Sequence, residues 1–310
     1  MSILTKIKNS NDQQRGVLLA IVATILASGF MIPWKISTEH GSVPLMVLTL
    51  VLAAAIFNSA AVVKQHGIAK LWAKPNKVEL TLGLVMAVFT LIGNFASAQA
   101  VSYLSPALVA TLMRAEVIIV AIMAWIAMGE KIGHRFWLGV IIVIIGFLIM
   151  QPTVDTGGDW LRGSLFALIA AAAFGVMAVL TRKYIHSIDS ITLNAHRLWF
   201  SVILWFPVHQ EIPEFSQLNG TMIFYTSLAA ILGPGLARLT YMNSAKYIEA
   251  KTGALVVSSG PVFTLIFAMI ILSEIPTQKE IWGGLILLGG IAYTLSHELK
   301  PTPSPSGLKN

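Results

Sequence analysis

The 310-residue sequence contains no cysteine and few charged residues. The absence of cysteine excludes disulfide bonds. Charged residues make up 11% of the chain, whereas a soluble domain carries about 25%. With 56% hydrophobic residues and a mean hydropathy of +0.77, the chain has too little polar surface to cover itself in water. This composition excludes a soluble domain and predicts a membrane protein.

The apolar residues cluster in blocks long enough to cross a bilayer as helices, which takes about 20 mostly apolar residues each. None of these blocks shows the period-2 alternation of a membrane barrel, and backbone groups in lipid must be paired internally, so the blocks are predicted to be helices. We predict ten of them, at residues 16–35, 43–63, 79–103, 106–128, 135–151, 160–181, 190–209, 220–243, 252–272 and 280–297.

The basic residues predict the orientation of the chain. If both termini are cytoplasmic, 15 of the 21 Lys and Arg residues fall on the cytoplasmic side, three on the outer side and three within spans. This bias is the positive-inside pattern of multi-pass proteins, so the net charge of +7 requires no nucleic acid. We therefore expect a bacterial-type inner (plasma) membrane protein with both termini in the cytoplasm and a disordered cytoplasmic tail at 300–310.

The two halves of the sequence resemble each other. An offset of 144 residues aligns Tyr103 with Tyr247 and Glu130 with Glu274, and Gly16 aligns with Gly163 at an offset of 147. These matches predict the duplication of a five-helix unit, with repeats at 1–153 and 157–299. Because five is odd, the second copy is inverted in the membrane. Inverted repeats are typical of secondary transporters, whose substrate site lies at the midplane between the halves.

The sequence around these matches resembles the drug/metabolite transporter superfamily, EamA-like branch. In the second half the resemblance rests on Gly260–Pro261–Val–Phe–Thr and Trp282–Gly283–Gly284, and in the first half on Ala100–Val–Ser–Tyr103. It implies ten helices in two inverted five-helix repeats and transport of a small metabolite or drug, often outward. The chain departs from the family in helix 1, where Ala27–Ser28–Gly29–Phe30 replaces the frequent Trp–Gly.

Three arginines lie within predicted spans, where a charge costs about 2.5–3.5 kcal/mol on insertion scales. Arg114 shares a helical face with small or weakly polar residues, which is typical of a cavity lining. Arg197 either lines the cavity or pairs with carbonyls near the end of its helix. Arg238, four residues after Pro234, either lines the cavity or reaches the interface if its helix ends early.

The other candidate substrate-binding residues are Asn94, Tyr241 and Asn243; Asn94 aligns with Arg238 in the repeat. Glu116 falls about 200° around a regular helix from Arg114, on an apolar stripe, so the two side chains are expected to face apart. It is either a structural partner of an arginine on a neighbouring helix or the residue that carries the coupled proton.

We interpret the chain as a secondary active transporter of a small organic metabolite or drug. The family resemblance implies that it acts as an exporter or exchanger. The excess of arginine favours an anionic substrate. The lipid bilayer is its other partner, and a homodimer is a candidate assembly. No cofactor or metal is expected, and the chain lacks the Gly-x-x-x-x-Gly-Lys run of an ATPase. A membrane enzyme and a channel are the alternatives.

Overall fold

The computed structural model describes residues 3–72, 74–129, 133–150, 158–208, 216, 218–271, 273 and 277–298. Within these ranges the chain is helical and has no strand, which confirms the predicted all-helical class. The motif residues Glu130 and Glu274, the repeat boundaries at 153, 157 and 299, and the tail 300–310 lie outside the described residues.

The described helices closely follow the predicted apolar blocks, and several blocks comprise two helical segments. The α-helices are α1 Ile3–Thr38, α2 Val43–His66, α3 Ile68–Trp72, α4 Lys77–Tyr103, α5 Pro106–Leu112, α6 Glu116–Met128, α7 His134–Met150, α8 Gly158–Tyr184, α9 Ser190–Val208, α10 Gly220–Ala230, α11 Arg238–Ser244, α12 Ala250–Val257, α13 Gly260–Ile271 and α14 Gln278–Glu298. A 3₁₀ turn at Met113–Ala115 joins α5 to α6, and a π-helical segment at Ile231–Ala237 joins α10 to α11.

Six stretches are long and apolar enough to cross a membrane. They are Asp12–Thr38, Val43–His66, Lys77–Tyr103, Leu108–Ala127, Leu161–Tyr184 and Gly220–Ser244. Three shorter apolar helices lie at His134–Gly146, Leu255–Ile271 and Ile281–Gly290. The chain is therefore a multi-pass membrane protein, and ten crossings stay a prediction.

The outer surface of the bundle is apolar, as a lipid-facing surface requires. Ile126 and Ile270 are 72% and 68% exposed. Trp125 is also exposed and lies on this surface. Trp34 and Trp205 lie near the ends of predicted spans, where tryptophan commonly anchors a helix at the membrane interface. Both are instead buried in the core, at 0% and 1% exposure, because nearness to a span end does not tell which face of a helix meets its neighbours.

The first helix of each predicted half packs against the other half. Helix α1 lies against α10, the π segment, α11 and α13. Helix α8 lies against α4, α5 and α6. Helix α2 packs on α9, and α7 packs on α14. Helices α1 and α10–α13 therefore form one group and α4–α6 and α8 form the other. The α2–α9 pair contacts both groups, and the cavity described below lies between the groups.

Candidate substrate cavity

A cavity of about 190 Å³ lies at the centre of the bundle. A single buried water needs only about 10–15 Å³ of such volume, so the cavity has room for a small ligand. Both predicted halves contribute to its wall. The lining residues that carry polar atoms or rings are Thr24, Ser28, Phe30, Asn94, Arg114, Glu116, Phe174, Arg197, Arg238, Tyr241 and Thr264.

Three of the helical stretches around the cavity are irregular where they reach it. The 3₁₀ turn at Met113–Ala115 contains Arg114. The π segment contains Pro234, which cannot donate a backbone hydrogen bond and clashes with the preceding turn. The α12–α13 stretch is interrupted between Val257 and Gly260. Irregular backbone at membrane depth is tolerated where it lines a cavity or is buried in protein, because its polar groups find partners there.

Arg114 connects the first of these irregular segments to the third. Its Nε donates to the carbonyl of Ala110, at 3.0 Å. Its Nη1 donates to the carbonyl of Val257, at 2.6 Å, where α12 ends. The Ser28 hydroxyl donates to the carbonyl of Gly260, at 3.0 Å, on the other side of the same interruption. The guanidinium is thus fixed in place, with its remaining donors beside the cavity.

Arg238 begins α11, and its guanidinium reaches α8. Its Nη2 donates to the Thr181 hydroxyl, at 2.7 Å, and to the Met177 carbonyl, at 3.2 Å. Its Nε is buried and has no hydrogen-bond partner among the described residues. The ring of Tyr241 lies 5.9 Å from the guanidinium carbon, as in a cation–π contact. The side chain points into the bundle and lines the cavity, so it does not reach the interface as one expectation allowed.

Arg197 is 2% exposed and belongs to a polar network that crosses four segments. Its Nη1 donates to the Thr90 hydroxyl of α4, and its Nη2 donates to the Asn194 side-chain oxygen, at 2.6 Å. The Asn194 amide donates in turn to Asn58 of α2, at 2.8 Å, and to the carbonyl of Pro234, at 3.1 Å. Arg197 is therefore held by side chains. The expectation that it pairs with backbone carbonyls near the end of its helix was wrong.

Glu116 lines the same cavity as Arg114, so the expectation that it faces away on an apolar stripe was wrong. In a regular α-helix residues i and i+2 point about 160° apart, whereas in a 3₁₀ turn they point about 120° apart. The 3₁₀ turn between the two residues brings their side chains towards one side. The Glu116 carboxylate lies within electrostatic range of both Arg114 and Arg238, and it has no ion pair within 4 Å in the described part of the chain.

Two further predicted residues, Asn94 and Tyr241, line the cavity, and a third does not. The amide of Asn94 donates to the Thr90 carbonyl, at 2.7 Å. Asn243 lies outside the lining because it is two residues, about 200°, around α11 from Tyr241. The sequence reasoning missed Thr90 and Thr181, whose hydroxyls accept hydrogen bonds from arginines. Thr90 lies one turn before Asn94 in α4, which could have pointed to it, but α8 contains no candidate residue that would have pointed to Thr181.

At each end of the bundle, a basic side chain of one helix donates to a backbone carbonyl at the end of another helix. At one end Lys35 of α1 donates to the Val101 carbonyl of α4, at 2.8 Å. At the other end Arg182 of α8 donates to the Ala245 carbonyl that follows α11. No group of three or more His, Asp or Glu residues that could hold a metal is present among the described residues.

Sequence relatives include transporters of several bacteria. An uncharacterized transporter of Clostridium kluyveri is 24% identical over 297 residues, covering 93% of this chain and 95% of the relative. An uncharacterized transporter of Synechocystis is 26% identical over 182 residues, covering 53% of this chain and 51% of the relative. The uncharacterized transporter YdfC of Bacillus subtilis is 25% identical over 169 residues, covering 53% of this chain and 54% of the relative. The matched region spans about half the length of the last two relatives.

A solved crystal structure of another protein shares the fold. It covers 92% of this chain and 99% of its own, with a TM-score of 0.72 and 17% identity, so the likeness concerns the fold alone. The model of the EamA-like transporter family matches residues 14–151 and again residues 161–296. The resemblance inferred from the motifs is thereby confirmed: the chain belongs to the EamA-like transporter family.

Proposed function

We propose that the chain is a secondary active transporter that moves a small organic molecule by alternating access. Ten crossing helices would form two inverted five-helix repeats, at 1–153 and 157–299. The observation that carries the proposal is the central cavity, which is lined by both repeats and by three irregular helical segments. Irregular helices at a midplane site between repeats are typical of secondary transporters.

Equivalent contacts in the two repeats support the inversion. A Cβ at Gly16 would lie 2.7 Å from the side chains of Tyr247 and Ile248. A Cβ at Gly163 would lie 2.6 Å from the Leu104 side chain and 3.0 Å from that of Tyr103. The two contacts correspond in the repeat, because an offset of 147 relates Gly16 to Gly163 and an offset of 144 relates Tyr103 and Leu104 to Tyr247 and Ile248. Each repeat thus begins with a helix that approaches the α4–α5 or α11–α12 connection of the other repeat through a glycine.

The charges around the cavity favour an anionic substrate. Three arginines and one glutamate are the charged residues in the described lining, which leaves a formal excess of two positive charges. An uncompensated charge in the bundle is costly, so an anionic ligand would be stabilised there. The guanidinium group forms two parallel hydrogen bonds with a carboxylate or phosphate. Arg114 and Arg238 would contact the ligand from opposite repeats, and Asn94, Arg197 and Tyr241 would complete the site.

Glu116 supplies a route for coupling to protons. When ionised, its carboxylate neutralises part of the charge of Arg114 and Arg238, which are also the proposed partners of the substrate. The carboxylate and the anionic substrate would therefore compete for the same guanidinium groups. Protonation of Glu116 would release the arginines to the substrate, and departure of the substrate would favour loss of the proton. Such competition produces coupled movement without any direct contact between proton and substrate.

The basic residues support the proposed location, an inner membrane of bacterial type with both termini in the cytoplasm. The exposed apolar face of α7 and α14, which includes Leu148 and Leu285, is open to lipid or to a second copy of the chain. A homodimer stays a proposal on this basis alone.

Transport by the purified chain in proteoliposomes tests the function. Loaded vesicles should exchange internal for external labelled substrate, with saturation, in a panel of carboxylates and phosphate esters. A channel would show flux without saturation or counterflow, and a membrane enzyme would return a chemically altered compound. Saturable transport restricted to cations, with no inhibition by any organic anion, would contradict the proposed substrate class.

A further inference from the structure

Two cations join helix ends beyond the cavity. Lys35 lies in the last turn of α1, and its Nζ donates to the carbonyl of Val101 in the last turn of α4. Arg182 lies in the last turn of α8, and its Nη1 donates to the carbonyl of Ala245, the C-cap of α11. Both cations are half-buried, and both acceptor residues are buried.

Each bond stabilises a contact that would otherwise be unfavourable. The last turn of a helix carries partial negative charge and carbonyls that lack an intrahelical partner. At each of the two bonds, two such helix ends lie side by side, α1 with α4 and α8 with α11. A cation between them interacts favourably with both ends and satisfies one of the carbonyls. Without the cation the two ends would repel each other and take up water.

The Lys35–Val101 and Arg182–Ala245 bonds lie at opposite ends of the cavity. Helix α8 begins beside the end of α4, because Gly163 packs against Tyr103 and Leu104. Arg182 is 19 residues further along α8, which is about 28 Å at 1.5 Å per residue. Lys35 lies one turn beyond Met31 of the cavity wall, and Arg182 lies five residues beyond Met177. The cavity therefore lies between the two bonds.

Both bonds connect the same two groups of helices. One group contains α1 and α11, and the other contains α4 and α8. The bond from Lys35 joins the groups at one end, and the bond from Arg182 joins them at the other. The repeat relates the two bonds, since Lys35 and Arg182 are 147 residues apart and Val101 and Ala245 are 144 apart. A rocking movement between the groups would break one bond while preserving the other.

We propose that the Lys35–Val101 and Arg182–Ala245 bonds are the two gate latches of the transport cycle. This inference rests on the proposed alternating-access function. Each latch holds its own end of the cavity closed, and both are formed in the present structure. Opening towards one side requires the latch on that side to break, and the intact latch keeps the opposite side closed.

The absence of cysteine makes a direct test simple, because the reporter Ala27→Cys would be the only thiol. Ala27 lines the cavity. Vesicles of known orientation are treated with a membrane-impermeant maleimide from either side. Lys35→Met should raise the labelling rate about tenfold from one side only, which corresponds to about 1.4 kcal/mol. Arg182→Met should raise it by a similar factor from the other side.

Three controls separate a latch from a general loss of structure. Lys35→Arg and Arg182→Lys keep a cation within reach of the carbonyl and should label at rates close to the reporter alone. Lys246→Met removes an exposed charge beside Ala245 and should change neither rate. The double variant Lys35→Met/Arg182→Met weakens both ends equally, so the ratio of the two rates should return to that of the reporter alone.

The labelling assay needs no substrate, so its outcome is independent of transport activity. Opposite-sided effects in a chain that transports nothing in the panel would support the latches and count against the proposed function. Unchanged rates in both single variants, or faster labelling from the same side in both, would overturn the latches. A double variant that labels faster still from both sides, with no return of the ratio, would also overturn them.

Discussion

Thr90 is the position at which the buried polar network is most open to a quantitative test. Its side chain is fully buried, and its hydroxyl donates to the Met86 carbonyl, at 2.6 Å, while accepting from Arg197. Thr90→Val replaces the hydroxyl by a methyl group of similar size, and the two residues have similar helix propensity. The substitution leaves Nη1 of Arg197 without this acceptor, and Nε of the same guanidinium already lacks a hydrogen-bond partner in the described part of the chain.

The expected cost follows from the charge of the donor. A hydrogen bond to a charged group contributes about 1.5–3 kcal/mol, and a buried donor without a partner costs at least as much. At about 2.1 cal/mol/K per residue, the midpoint of a 310-residue chain shifts by about 1.5 °C per kcal/mol, so we expect the unfolding midpoint to fall by about 2–5 °C. The midpoint of thermal unfolding in detergent, followed by tryptophan fluorescence, measures the effect.

The same substitution at two other threonines gives unfolding midpoints for comparison. Thr181 accepts from Arg238, which lines the cavity, so water can replace the lost hydroxyl and Thr181→Val should cost less. The Thr240 hydroxyl donates to the Leu236 carbonyl of the preceding turn in an exposed hydrogen bond, so Thr240→Val should leave the midpoint nearly unchanged. Thr90→Val with the same midpoint as Thr240→Val would refute the reasoning, because it would show that the network does not stabilise this arrangement of α2, α4 and α9.

Three other predictions concern transport and topology. Arg114→Lys should raise the KM for an anionic substrate about tenfold or more with normal protein level, because lysine cannot form paired hydrogen bonds; unchanged kinetics would leave Arg114 a purely structural residue. Glu116→Gln should abolish gradient-driven transport and spare counterflow, and normal pH dependence of transport in this variant would remove Glu116 from coupling. A single cysteine at Thr38 should react with an impermeant maleimide from outside and one at Gln65 should not; the reverse pattern would overturn the orientation.

The helices and the family could be predicted from the sequence because both depend on local pattern. Runs of about 20 apolar residues require helices in lipid whatever their neighbours are. The arginines could also be placed near a cavity, since a charge within a span is too costly to leave in lipid. The Pro234 interruption was likewise visible, because proline removes a donor wherever it occurs in a helix.

Other parts of the site were not accessible to sequence reasoning. The 3₁₀ turn at Met113–Ala115 contains neither glycine nor proline, so nothing in the sequence indicates a departure from a regular α-helix there. A regular helix predicts the wrong angle between the side chains of Arg114 and Glu116. Arg197 bonds to Thr90, which is 107 residues away, and its partner Asn194 bonds to Asn58, which is 136 residues from Asn194. No periodicity connects such residues.

The sequence alone determined that this chain is a multi-pass helical protein with a repeated pattern and three costly charges, because those properties follow from the transfer of each segment into lipid. The tertiary structure decided which side chains meet. It placed Glu116 with the arginines, took Trp34 into the core, and joined Lys35 to Val101 and Arg182 to Ala245. These contacts depend on how helices distant in sequence pack, and packing is specified by the whole set of interfaces rather than by any one segment.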